Sequence, residues 1–208
     1  MTHQATITGA HLETIYRILL KRIAKGLTAE RLSHLIGKEY NYIEQVESLK
    51  LPTYPHAELE RIALVLEESN HKSFYACVHD ETLLNVIIER LEDQNKLSHC
   101  YSSMHENEEK CQLFMVSETL FGDFDDAPQG DENLEIAKDA ISLMVRAGYF
   151  FEAKMPLEIF HSINRFLTEP LDAFYIEIAM LSFCTDGEND RPLKKIENVI
   201  KGYQYETC

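Results

Sequence analysis

Apolar residues recur at three- and four-residue intervals through Leu12, Ile15, Tyr16, Leu19, Leu20 and Ile23, a spacing that predicts an amphipathic helix ended by Gly26. Thr28 then reads as an N-cap, and Glu30, Leu32, Leu35 and Ile36 predict a very short second helix stopped by Gly37. A third helix is expected over residues 39–49, with Tyr42, Ile43 and Val46 on one face. Prolines mark residues 51–55, after which Leu59, Ile62, Ala63 and Leu66 restore helical spacing over 56–68.

Beyond residue 70 the pattern continues with Leu83, Leu84, Ile87, Ile88 and Leu91, which predicts another helix over residues 80–97 with Asp80 as its cap. Residues 102–135 read as an exposed acidic linker carrying Pro128 and Gly130, interrupted by an apolar patch at 113–116. Three more helices are expected over 133–148, 155–166 and 171–183. Gly148 stops the first, and Pro156 suits the opening turn of the second. The period then shifts, and residues 192–206 predict two short strands around a turn.

Two short helices joined by a glycine turn and flanked by longer ones form a helix-turn-helix outline. Residues 19–66 resemble the Xre/Cro-type helix-turn-helix domain in Gly26-Leu27-Thr28, Leu32, Gly37, Ile43, Glu47, Leu59, Ile62-Ala63 and Leu66; the run 43–47 followed by Lys50 is the most distinctive part. The resemblance implies a third helix laid in the major groove of double-stranded DNA. Lys38, Tyr40, Asn41 and Gln45 would face the duplex, with Arg17, Lys21, Arg22 and Thr28 positioning its backbone. Asn41 and Gln45 have the chemistry to read adenine edges, and Tyr40 to reach a phosphate. Ala29 stands where family members often carry a glutamine, Ser33 replaces the usual alanine, and Glu39 would repel phosphate. These departures keep a second reading open, a helix-turn-helix shape that binds protein.

The C-terminal order of three helices and a hairpin, with Ala147-Gly148-Tyr149-Phe150 and Leu193-Lys194-Lys195-Ile196, is similar to winged-helix regulators. Lys194, Lys195 and Lys201 would form a wing able to touch phosphate, but the third helix offers Asp172, Glu177 and no base. Protein contact or dimerisation is the expected role there. The fold expected is therefore mainly α: an Xre-like bundle over 1–70, a helical and acidic linker over 71–132, and a winged-helix-like α+β domain over 133–208.

Charge divides along the same line. The 208 residues carry a formal charge of −15, yet residues 1–70 hold 8 basic and 9 acidic groups, while 71–208 hold 12 and 26. Residues 11–40 are locally positive, with Arg17, Lys21, Arg22, Lys25, Arg31 and Lys38 against Glu13, Glu30 and Glu39. Indiscriminate DNA binding by the whole surface is excluded, and one basic face is left. The acidic remainder suits self-association or a basic protein partner through residues 71–208.

No catalytic arrangement emerges. The 8 glycines are scattered without a phosphate-cradling loop, and no nucleophile elbow or paired metal-binding histidine motif is present. His79-Asp80 lacks partners, and Cys184 in an apolar helix reads as core. His99, Cys100, His105 and Cys111 carry ligand chemistry at a spacing that matches no closed zinc module, so neither metal nor cofactor is expected. Five widely spaced cysteines, no basic leader and no long apolar run predict a reduced, cytoplasmic, non-enzymatic chain without a membrane span.

Overall fold

In the computed structural model, residues 2–75, 81–104, 110–120, 130–184, 191–198 and 202–208 are described. They form an α+β protein, 45% helical and 28% strand, which corrects the expectation of a mainly α fold. Two compact units share the chain. The first comprises residues 1–30 and 41–123, and the second 31–40 and 124–208. Among the described residues no helix is long and apolar enough to cross a membrane.

The first unit opens with strand β1 (Thr2–Thr8), which leads directly into helix α1 (Gly9–Ala24). The Thr8 side chain accepts from His11 N at 3.3 Å and so caps α1. Leu12, Ile15, Ile18 and Leu19 form its buried stripe, as the periodicity predicts. After α2 (Ala29–Leu35), which runs from the first unit into the second, come α3 (Tyr42–Glu47) and α4 (His56–Val65). A single 3-10 turn, His71–Phe74, follows and is anchored by the fully buried Phe74.

The predicted helix over 80–97 is instead strand β2 (Leu83–Asp93) running into β3 (Lys96–Met104), and the expected acidic linker contains β4 (Lys110–Thr119). The four strands form one antiparallel sheet in the order β1-β2-β3-β4. Val86, Ile88 and Arg90 of β2 lie opposite Ser103, Tyr101 and His99 of β3, and a two-residue turn closes at the Asp93–Lys96 pair. Gln94 takes φ +52° in that turn, the left-handed conformation that tight hairpins require. The helical reading failed because Ile87 and Leu91 add apolar positions on the opposite face to Val86 and Ile88, which blurs a two-residue period into a helical one.

The second unit contains α5 (Glu132–Arg146), α6 (Pro156–Asn164), α7 (Ala173–Phe183) and a hairpin of β5 (Leu193–Asn198) and β6 (Gly202–Thr207). Asp131 caps α5 by accepting from Asn133 N and Leu134 N, and Asp172 caps α7 through Phe174 N. Ala137, Ile141, Phe150, Ile159, Ile176, Ala179 and Leu193 make the centre of its core, and Cys184 is buried among them. Residues 31–40 belong to this unit through Gly37, whose carbonyl accepts from Tyr203 N at 2.8 Å. Gly37 has φ +70°, and an added Cβ would sit 2.8 Å from the Tyr203 carbonyl oxygen. Only glycine satisfies both the backbone angle and this approach.

Candidate nucleic-acid interface and the charges around it

The eight residues expected at a DNA surface fall into different environments. Arg17 is half-buried on α1; its Nε donates to Glu13 Oε1 at 2.9 Å and its Nη1 to the Ser73 carbonyl at 3.3 Å. One turn on, Lys21 is ion-paired with Glu68, and Lys25 pairs with Glu67 in the same manner. Each cation on this helix has a carboxylate within the first unit.

Arg22 is not at the surface at all. It is 0% exposed, and all five of its N–H groups are spent on internal acceptors. Nε and Nη2 donate to Glu47 at 2.8 and 2.9 Å, while Nη1 and Nη2 donate to Glu118 at 2.7 and 3.0 Å. The fifth goes from Nη1 to the Leu27 carbonyl at 2.7 Å. His99 Nε2 lies 2.7 Å from Glu118 Oε1, and Tyr101 Oη donates to the Glu47 carbonyl at 2.5 Å. The cluster thereby joins α1, the end of α3, β3 and β4 around one guanidinium.

Pairing, working against the cost of burial, sets the protonation of this cluster. Desolvation works to lower the Arg22 pKa, but Glu47 and Glu118 beside it raise it well above the ordinary value. Burial likewise pushes the Glu118 carboxyl up, and hydrogen bonds from His99 and Arg22 together with the Arg22 charge outweigh it, leaving a pKa of about 2. Both groups are therefore held charged at neutral pH.

The helix expected to read bases is short and partly covered. Of its six residues, Ile43, Val46 and Glu47 are buried. Glu44 is held by Arg90 of β2 at 2.5 Å, and Glu47 by the Tyr101 hydroxyl of β3, so the sheet lies against this side of α3. Asn41 remains exposed and Gln45 half-buried one turn further on, sharing the side left open. Thr28 is half-buried just before α2. Lys38 and Tyr40 belong to the second unit, where Tyr40 is exposed. The structure thus brings Asn41 and Gln45 together on one helix face, and gives Arg17 and Lys21 to internal ion pairs.

Basic groups of the second unit are engaged in the same way. Arg31 Nε lies 3.0 Å from Asp172 Oδ1, and His34 Nδ1 lies 2.6 Å from the Tyr203 hydroxyl. Lys194 pairs with Glu206 at 2.9 Å; Lys195 reaches Glu39 at 3.4 Å and stands 3.9 Å above the Tyr203 ring. Lys201 lies outside the described residues.

No family model, curated protein or solved structure matches this chain.

Among the described residues, two groups of side chains have the composition of a metal centre. Glu47, His99 and Glu118 converge, but the Arg22 guanidinium already fills the space between the carboxylates. His56, Glu60 and His71 converge near the surface. The histidines and cysteines considered from the sequence are not brought together: His99 is buried on one face of β3, Cys100 follows on the other face, and Cys111 is exposed on β4. His105 lies outside the described residues. Neither Glu47 with Glu118 nor His56 with Glu60 was marked out by sequence reasoning. For the second pair the available signal was a His-x3-Glu spacing at the start of a helix.

Proposed function

We propose that this chain is a non-enzymatic protein-interaction module, adaptor-like or antitoxin-like, built around a helix-turn-helix arrangement that does not read DNA. The observation that carries this reading is the internal neutralisation of its basic helix. Arg22 is sealed between Glu47 and Glu118, and Arg17, Lys21 and Lys25 each face a carboxylate of the same unit. A DNA surface needs cations that can displace the counterions of phosphate, and cations already paired with carboxylates gain little from doing so. The partner favoured by charge is a basic protein, since residues 71–208 carry 26 acidic against 12 basic groups. Large apolar side chains exposed on the second unit, including Phe151 at 81% and Phe166 at 85%, add the kind of surface that protein contacts cover.

Sequence-specific DNA binding is the second reading, favoured by the placement of Asn41 and Gln45 on the open side of α3. A gel-shift assay at low salt on mixed genomic fragments separates the two. The interaction-module reading expects no retained fragment at concentrations that saturate an ordinary operator-binding protein. Retention that is lost in Asn41→Ala and preserved in Phe166→Ala would establish the DNA reading in its place.

A further inference from the structure

We infer that His56, Glu60 and His71 form a binding site for one borderline divalent metal ion of the zinc class. His56 is the first residue of α4 and Glu60 the fifth, so the helix places both side chains on one face. His71 is delivered by the 3-10 turn, which is fixed from three directions. Asn70 Oδ1 accepts from Lys72 N at 2.9 Å, Phe74 is fully buried beneath it, and Arg17 donates to the Ser73 carbonyl at 3.3 Å. One ligand therefore sits on a held element, and the other two lie on exposed side chains with freedom to close.

The separations suit an ion more closely than they suit mutual hydrogen bonds. His56 Nε2 lies 3.5 Å from Glu60 Oε1, and His71 Nδ1 lies 4.0 Å from the same oxygen. Charge-assisted N–H···O bonds are about 2.7–2.9 Å long, so neither contact is a good one. Ligand atoms about 2.1 Å from a tetrahedral zinc stand roughly 3.4 Å apart, so the observed spacings need only small side-chain adjustments. The two imidazole rings meet edge to face with centroids 4.4 Å apart, which turns their nitrogens toward the carboxylate instead of stacking them.

A further contact fixes the orientation of His56. Its Nδ1 lies 3.3 Å from the Tyr75 hydroxyl, leaving Nε2 directed at Glu60. A histidine whose second nitrogen is held by an oxygen is the usual arrangement at metal sites. Two imidazoles and one carboxylate select a borderline ion over magnesium or calcium, which take oxygen ligands. Three protein ligands leave a fourth position for water. His56 and Glu60 are 63% and 58% exposed, which gives that position access to solvent.

Zinc titration of the tag-free full chain against a chromophoric chelator tests the site, with cobalt absorption reporting coordination and circular dichroism reporting fold. Expected are one zinc per chain, a visible cobalt spectrum of low coordination number, and at least about tenfold weaker binding in His56→Gln, Glu60→Gln and His71→Ala. His56 is 63% exposed, so His56→Gln retains the fold and keeps the test valid even where His71→Ala does not fold. His161→Ala, on α6, should bind as the unchanged chain does. Absence of stoichiometric zinc overturns the proposal. So does zinc affinity equal in His56→Gln and the unchanged chain, or zinc binding abolished by a change at Cys111 instead.

Discussion

Arg22 and Glu47 meet as a two-pronged pair with both side chains fully withdrawn from water, at 2.8 and 2.9 Å. Desolvating two charges is costly, and here the cost is offset by a second carboxylate, a backbone carbonyl and complete use of the guanidinium protons. The residue that a helix-turn-helix reading assigns to phosphate is thus the internal tie of the first unit.

Removing the guanidinium should leave Glu47 and Glu118 facing each other without a counter-charge. Arg22→Ala is expected to destabilise the protein by about 3–5 kcal/mol, the range for breaking a buried pair from one side. Urea unfolding of the variant and the unchanged chain measures this. A loss below about 1 kcal/mol, the scale of a surface ion pair, would mean that the cluster is not buried in solution.

Glu118 links stability to acid. Its folded pKa of about 2 lies below the ordinary carboxylate value of 4.5, so the stabilisation is fully present above about 4.5 and disappears as pH falls toward 2. At 1.36 kcal/mol per tenfold change in proton affinity, the effect is on the order of 3 kcal/mol. Glu118→Gln should flatten the stability profile across that window, as read by urea midpoints at successive pH values. An unchanged slope in the variant would assign the acid sensitivity to other carboxylates.

Two glycines share a backbone angle and differ in surroundings. Gly26 has φ +69° with nothing near an added Cβ, whereas Gly37 has φ +70° with the Tyr203 carbonyl oxygen at 2.8 Å. Gly26→Ala should cost about 1–2 kcal/mol from backbone strain alone. Gly37→Ala should cost more, because the Tyr203 backbone must also retreat. Thermal unfolding of both variants distinguishes them, and equal losses would show that residues 31–40 do not approach β6 in solution.

Withdrawing the carboxylates that neutralise α1 should expose its charge. Glu13→Gln, Glu67→Gln and Glu68→Gln together remove the carboxylates paired with Arg17, Lys25 and Lys21. The triple variant is expected to bind random duplex DNA at low salt, with affinity falling roughly 40-fold between about 50 and 200 mM salt for three phosphate contacts. Fluorescence anisotropy reads this directly. No gain of binding would show that pairing is not what silences the helix.

Much of the helical framework was legible in the sequence, because α1, α4, α5 and α6 each present one apolar stripe bounded by a glycine, a proline or a polar cap, and α7 is an almost wholly apolar run begun by the Asp172 cap. The β5–β6 hairpin was legible from its change of period. The four-stranded sheet was not, since Leu83, Leu84, Ile87, Ile88 and Leu91 satisfy helical spacing equally well. The β-branched run 86–88 and the turn at Gln94-Asn95 were the signals against a helix. Within the site, a sequence cannot separate a buried charge from a solvated one. Glu118 belongs to an acid-rich stretch of the sequence and lies beside Arg22 in the fold. His56, Glu60 and His71 are brought together by the α4-to-turn connection, which periodicity does not encode.

Whether α3 reads DNA is tested most directly by anisotropy of a labelled random duplex titrated at low salt with the unchanged, tag-free chain. No saturable binding is expected, and the same flat titration for Asn41→Ala with Gln45→Ala. Saturable binding by the unchanged chain that this double variant abolishes would contradict the proposed interaction-module function.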